Sequence, residues 1–423
     1  MSEELRIVVS LALSIAWCLW VGISWLRHKP RSTMASHQPI FVYASQTGQA
    51  KATAQSQLIS FSDALLLPLN KLTPKHFSLA SEMHFFVSTY GEGEAPDNGH
   101  GFIQSLNSIN QDIIQSLKFS VTALGDSRYP AFCAFGKQVY QQLTHIGAQP
   151  LSDIKYIDAN AKQTEDKLFD FTTAKLKERT HLNPNSVSPG LYHLHLDAKN
   201  LTWKPGDILE VLPPEKGKYG APRSYSIASA ASDLYNDQLI LLVRLHIAPD
   251  GSQGLASRFL TQTCREGSLL TVKVRANPSC QLTATNTPLL LIGAGSGLAG
   301  LLGHIKQRSL TKNAGPIWLI YGEREPIHDH HLSSDIAHWQ EQNVLSRVDR
   351  VFSRQSSNEK YVQDILIKHS QAVKAFIETQ GDIYVCGSLT GMGNAVHQAL
   401  VTILGQSELE TLIASERYHR DLY

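Results

Sequence analysis

Three short stretches of this 423-residue chain have the residue types and spacing needed to hold phosphate-bearing ligands. Ser45, Gln46, Thr47, Gly48, Gln49 and Ala50 place hydroxyls and a glycine between an apolar run and a helix start. Backbone N–H groups and hydroxyls in that order can wrap a phosphate at a positive helix end, although an ordinary Ser/Thr-rich turn uses the same residues. Arg223, Ser224, Tyr225 and Ser226 combine a guanidinium fork for a pyrophosphate with a flat ring and a hydroxyl that reaches a ring edge. The third stretch, Ile292 to Ala299, contains Gly293, Gly295, Ser296 and Gly297 and follows a strand-like run, the context a nucleotide glycine loop requires.

The elements that position these groups follow from the hydrophobic pattern. Ile40-Phe41-Val42-Tyr43, His84 to Ser88 and Ser120 to Leu124 are short apolar runs that each end in a polar, glycine-containing loop. This alternation predicts a doubly wound parallel sheet with ligand loops at the carboxyl ends of its strands. The second loop holds Ser88, Thr89, Tyr90 and Gly91; the third holds Leu124, Gly125, Asp126, Tyr129, Phe132 and Cys133. A charged stretch at 162–178 is expected to be helical and to close this unit. From about 190 to 275, short alternating runs between Gly and Pro predict a small antiparallel barrel. After 288, strand and helix alternate again, giving a second parallel sheet.

The first three loops together resemble the flavodoxin family, in which the first holds the FMN phosphate and the next two clasp the isoalloxazine ring. That resemblance implies stacking by Tyr90 and Tyr129. The Arg223 to Ser229 string resembles the ferredoxin-NADP reductase family, and Gly254, Leu255, Ala256 and Ser257 resemble its second FAD motif, whose amides contact the pyrophosphate. In that family the positions of Arg324, Ser353, Arg354, Lys360, Tyr361 and Gln363 bind the adenosine 2′-phosphate that distinguishes NADPH from NADH; two cations beside hydroxyl donors suit a dianion. The chain departs from the family string at Gly300, where a proline is usual, at Glu359, where a lysine is usual, and at Asn394, where an aspartate nucleotide contact is usual.

With the ending Glu416 to Tyr423, nearly everything after residue 38 resembles the NADPH-dependent diflavin reductases. The resemblance implies that Tyr423 covers the FAD ring and that Ser226, Cys386 and Asp421 line the hydride-transfer site. Only fifteen residues separate Pro205-Gly206-Asp207 from Arg223, which leaves no room for the helical connecting domain of larger members. Another contact must then orient the two flavin modules. Two flavins in series accept a hydride pair and release electrons singly.

Composition narrows the rest. With 38 basic and 37 acidic side chains, no electrostatic footprint for nucleic acid exists. Five scattered cysteines without a CxxC pair suggest neither a disulfide framework nor a zinc site and fit a reducing compartment. His328, His330 and His331 are expected in a solvated surface turn rather than around a metal. Residues 7–26 carry no charge and are followed by Arg27, His28, Lys29 and Arg31, so a single span with the remainder cytoplasmic is expected.

The expected organisation is an anchor and linker over 1–37, a flavodoxin-like FMN domain over 38–180, an FAD-binding barrel over 181–285 and an NADP-binding domain over 286–423. The expected activity is membrane-anchored NADPH-haemoprotein reduction, from NADPH through FAD and FMN to a haem-type acceptor. The alternatives are a sulfite reductase flavoprotein component, a ferric-chelate reductase, or a non-catalytic flavin-binding regulatory or assembly protein.

Overall fold

The computed structural model describes residues 38–423 apart from 46–47, 62, 90–92, 128–130, 159–169, 216–217, 233, 235–236 and 283. The uncharged run at 7–26 therefore lies outside the described residues. Among the described residues, no helix is long and apolar enough to cross a membrane.

The first module is a parallel sheet in the order β2-β1-β3-β4-β5. Its strands are β1 (Gln38–Ala44), β2 (Leu65–Pro68), β3 (Ala80–Ser88), β4 (Lys118–Gly125) and the two-residue β5 (Gln149–Pro150). A further strand, β6 (Lys155–Asp158), continues along β4 beyond β5, so the fifth position is split into two pieces. Both faces are apolar because the strands read as nearly continuous hydrophobic runs. Phe85, Phe119 and Phe135 fill one side, and Phe41 and Phe86 the other. Helices α1 (Gln49–Leu58) and α2 (Ala134–His145) start from the loops that leave β1 and β4. The order is the doubly wound one expected, and the loops after β1, β3 and β4 emerge at one end of the sheet.

The second module is a six-stranded antiparallel sheet, ordered β12-β9-β14-β7-β8-β13. It contains β7 (Thr172–His181), β8 (Leu191–Asp197), β9 (Ile208–Leu212), β12 (Arg223–Ser226), β13 (Gln238–Arg244) and β14 (Leu269–Arg275). The bridge between Ile227 and Leu241 joins its two edges and closes it into a barrel. The hairpin β10 (Pro214–Glu215) and β11 (Lys218–Tyr219) carries the chain directly from β9 to β12.

Strand β7 corrects the helix expected over 162–178 from Thr172 onward, while 162–169 lie outside the described residues. Residues 172–178 pair with β8 and β14, with Ala174 and Leu176 buried and the intervening lysines exposed. Good helix formers (Ala, Leu, Lys, Glu) are overridden here by burial of one strand face. The boundary drawn between 180 and 181 falls inside this strand, which belongs to the barrel from Thr172 onward.

The third module is a parallel sheet ordered β17-β16-β15-β18-β19, with strands β15 (Leu289–Ala294), β16 (Ile317–Glu323), β17 (Leu345–Phe352), β18 (Asp382–Gly387) and β19 (Tyr418–Leu422). Helix α3 (Leu255–Arg258) precedes β14 in the barrel, and α4 (Leu298–Ser309) follows β15. Leu298, Leu301, Leu302 and Ile305 of α4 share one buried cluster with Leu191, Ala228, Ile240 and Leu242 of the barrel. Each such side chain contributes roughly 1.5–3 kcal/mol on burial, so these two modules are welded through a common core. The clusters of the first module contain only its own residues.

Candidate active site

Parallel pairing of β18 with β19 sets Cys386 directly beside Asp421. Alternation along β18 puts Tyr384 on the same face, two residues back. Three donors converge on one oxygen, Asp421 Oδ2: the Ser226 hydroxyl at 2.7 Å, the Cys386 thiol at 3.4 Å and the Tyr384 hydroxyl at 3.4 Å. Ser226 comes from the end of β12, so the site sits where barrel and third module meet.

Tyr384, Cys386 and Asp421 are buried and Ser226 is half-buried, and the consequences have opposite signs. Burial pushes the Asp421 carboxyl up, while the hydrogen bonds from Ser226, Cys386 and Tyr384 pull it back. Burial raises the Cys386 thiol well above its ordinary value, and the neighbouring carboxylate adds to this. Cys386 is thus a neutral S–H donor at physiological pH, not a thiolate nucleophile. Gly300 of α4 makes room for the pair. A Cβ there would stand 2.8 Å from Cys386 Sγ and 3.1 Å from Asp421 Oδ2.

Tyr423 continues from β19 and is held by its backbone: its N–H donates to Gly387 O and its carbonyl accepts from Leu389 N, both at 3.0 Å. The residue as a whole is 60% exposed, and its hydroxyl lies 2.7 Å from Ser296 Oγ in the glycine loop. The terminal aromatic and the nucleotide loop therefore touch. Gly297 lies so close to β18 that a Cβ would overlap the Cys386 carbonyl, and one at Gly293 would stand 2.8 Å from the same oxygen. These glycines permit close helix-to-strand packing.

Behind the loop lies a buried polar network that sequence reasoning did not find. Tyr321 Oη is 3.1 Å from Gly295 O and 2.8 Å from Glu323 Oε1. Arg244 of the barrel meets Glu323 at 2.5 Å and donates to Pro189 O at 3.0 Å. His331 is buried, with Nε2 3.2 Å from Glu323, which corrects its placement in a solvated turn; His328 and His330 are exposed. Glu323, Asp329 and His331 have ligand-type atoms close together. Arg244 already occupies Glu323, while Asn183 and Ser188 donate to Asp329. Glu323 and Asp329 thus take protein donors across a seam between two modules, while both His331 ring nitrogens are buried without a hydrogen bond among the described residues.

In the first module, Gln46, Thr47, Tyr90, Gly91 and Tyr129 lie outside the described residues. Those around them converge at the sheet's carboxyl end. Ser45 Oγ accepts from Ala50 N at 3.2 Å, and Ser45 N donates to Asn98 Oδ1 at 3.0 Å. Gly48 precedes Gln49 at the start of α1 with φ 80°, and no atom lies within 4 Å of where its Cβ would be. The open space at Gly48, at the positive end of α1, fits a phosphate, with the Ala50 amide already taken by Ser45 Oγ. Ser88 Oγ donates to Ala44 O at 3.2 Å, and Thr89 Oγ1 accepts from Phe135 N at 3.2 Å. Leu124, Gly125 and Asp126 end β4 beside them. Phe132 is half-buried, 6.1 Å from Tyr156 between ring centroids, and Lys137 lies over both rings. The Cys133 thiol turns inward to Ala123 O and is pushed up to about 11 by burial.

On the barrel, Arg223 and Ser224 are exposed and Tyr225 is half-buried at the rim. Leu255 and Ala256 open α3 with no side-chain cap on their amides, whereas the Gly254 amide is spent on His246 O at 3.0 Å. Ser257 is used internally: its hydroxyl accepts from His246 N and donates to Gly254 O, both at 3.1 Å. Adjacent ends of β16 and β17 bring Arg324, Ser353 and Arg354 together. Lys360 and Tyr361 stand before α5 (Val362–Lys368), whose second residue is Gln363. Glu359 is turned to Lys368 at 2.8 Å, so its charge is countered locally.

Comparison with known proteins agrees with this layout. Residues 41–171 match the flavodoxin family, and residues 291–398 match the oxidoreductase NAD-binding domain family. The sulfite reductase [NADPH] flavoprotein alpha-component of Vibrio cholerae serotype O1 is 24% identical, covering 93% of this chain and 88% of its own length. The protein of the same name from Bacillus subtilis (strain 168) is 23% identical, with 92% and 89% covered. That from Thiocapsa roseopersicina is 27% identical, with 88% and 85% covered. The alignment with the Vibrio protein runs over 543 positions, more than the 423 residues of this chain, so that relative carries segments absent here.

Proposed function

We propose that this chain, an NADPH-dependent diflavin oxidoreductase in compact form, is the flavoprotein component that supplies electrons to a sulfite-reducing haem partner. The expectation of a general haemoprotein reductase gives way to what was its alternative, because similarity over most of both lengths runs to proteins named as sulfite reductase flavoprotein components. When bound, NADPH would supply hydride, and FAD and FMN would supply its acceptance and the release of electrons one at a time.

The observation that carries the reading is the convergence of Ser226, Cys386 and Tyr384 on Asp421 beneath Tyr423. A carboxylate fixed by three donors, at a site walled by Gly300 and the glycine loop, holds polar groups where a hydride donor must be oriented. Tyr423, tethered at its backbone and held at its hydroxyl by Ser296, is the cover of that site, and a turn of its ring breaks only that one side-chain contact. Arg324, Arg354 and Lys360 offer the charge that selects a 2′-phosphate. The test is reconstitution: purified chain mixed with a sirohaem-type sulfite-reducing protein should support NADPH-dependent sulfide production. Reduction of ferricyanide without any transfer to that partner would refute the acceptor.

The uncharged run at 7–26 supports a further part of the proposal, a single membrane span with the catalytic modules on the cytoplasmic side. Resistance of the full chain to carbonate extraction from membranes is expected; complete release would remove the anchor.

A further inference from the structure

The described part of the first module meets the rest of the chain through a small polar contact. Asn394 Nδ2 donates to Glu94 Oε1 at 3.2 Å. Beside it, the rings of His100 and His397 stack with centroids 6.0 Å apart and an interplanar angle of 20°, and His397 stacks in turn on Tyr418 at 6.0 Å. Next to these contacts the modules part around a cleft of about 620 Å³, with Leu72, Phe77 and Phe102 on one wall and Leu409 and Ile413 on the other. A single amide-to-carboxylate hydrogen bond contributes far less than the shared core that joins barrel to third module. The first module is seated, not welded.

The position of the seat is informative. Glu94 follows the loop that leaves β3, one of the two expected to clasp the FMN ring. Asn394 begins helix α6 (Asn394–Leu404), straight after the turn Leu389–Gly393 whose first amide holds the Tyr423 carbonyl. One hydrogen bond thus joins the ring-clasping loop of one flavin module to the turn that holds the aromatic cover of the other. We propose that Glu94–Asn394 and His100–His397 form the docking seat that positions the first module for electron transfer between the flavins. The seat takes over the orienting role for which this compact chain has no inserted domain. An amide rather than a carboxylate at 394 is what the seat requires, since a second carboxylate would face Glu94 at 3.2 Å.

The inference rests on the two-flavin reading. The step it serves takes one electron from FAD already reduced by NADPH hydride and gives it to FMN. Asn394 and Glu94 are positioning residues, so the test needs a readout that simple loss of folding would not reproduce. In the full-length holoprotein, Asn394→Asp should slow FMN reduction in stopped-flow absorbance about tenfold. It should also increase amide hydrogen exchange at residues 94–101 and 394–400. Glu94→Lys should do the same while leaving FAD reduction by NADPH unchanged. The reversed pair, Glu94→Gln with Asn394→Asp, restores an amide facing a carboxylate and should recover both the rate and the protection. Unchanged FMN reduction in Asn394→Asp, or failure of the reversed pair to recover in protein holding both flavins, overturns the seat. Protein that holds a single flavin refutes the underlying reading instead.

Discussion

Replacing Asp421 by Asn preserves shape and removes one charge at the point where three donors meet. Ser226, at 2.7 Å, is within strong hydrogen-bond range, whereas Cys386 and Tyr384, each at 3.4 Å, contribute little. A hydrogen bond to a charged acceptor is worth roughly 1.5–3 kcal/mol and one to a neutral acceptor roughly 0.5–1.5. The single strong bond therefore loses about 1–1.5 kcal/mol, which corresponds to about a tenfold slower reduction of FAD by NADPH. The pH dependence is a second signature. Burial raises the Asp421 carboxyl, so the wild-type rate should fall on acidification at a pH above the ordinary carboxylate range, as the group protonates. The Asn variant should lack that acid limb. Stopped-flow absorbance across a pH series measures both. A variant with full flavin content, a rate within twofold of wild type and the same acid limb would refute the role assigned to Asp421.

Other outcomes follow from the same structure. Half-buried His193 and buried His304 are held neutral, each with a pKa lowered to about 3 by loss of water around the ring. Because the unfolded chain binds those protons near pH 6.5, stability present above that value should be lost as pH falls toward 3. The slope should be up to about 1.4 kcal/mol per pH unit for each histidine; denaturant unfolding at pH 7 and pH 5 checks it, and equal stabilities would contradict it. Tyr423→Ala should improve use of NADH by uncovering the ring site, and Ser296→Ala should move the same way but less, since it removes only the 2.7 Å contact to the ring hydroxyl; steady-state KM for both nucleotides measures this. Arg354→Ala should raise KM for NADPH about tenfold with little change for NADH, as loss of one cation from a dianion site implies. Tyr129→Ala should weaken FMN retention and spare NADPH-ferricyanide activity.

Much of the architecture was legible because parallel strands buried on both faces read as unbroken apolar runs. Ile40 to Tyr43 and Leu289 to Ile292 fall inside β1 and β15 for this reason. The stretch 172–178 was not legible: its lysines and glutamate favour helix locally, and only the pairing of Ala174 and Leu176 into the barrel core makes it a strand. The Ser226, Cys386 and Asp421 grouping came from resemblance, while Tyr384 could have been found from the two-residue alternation with Cys386. Gly300 looked like a departure from the family string and is the space into which the thiol and carboxylate fit. His331 was misplaced because Arg244, which shares Glu323 with it and helps close the seam over it, lies far away in sequence on the barrel. For Glu94 and Asn394, 300 residues apart, no local pattern exists.

The most direct test of the relay is anaerobic titration of the full-length protein with NADPH, followed by flavin extraction. The account predicts equimolar FMN and FAD, both bleached by the nucleotide, with the second flavin reduced only through the first. Bleaching of a single flavin, or extraction of FAD alone, would contradict it.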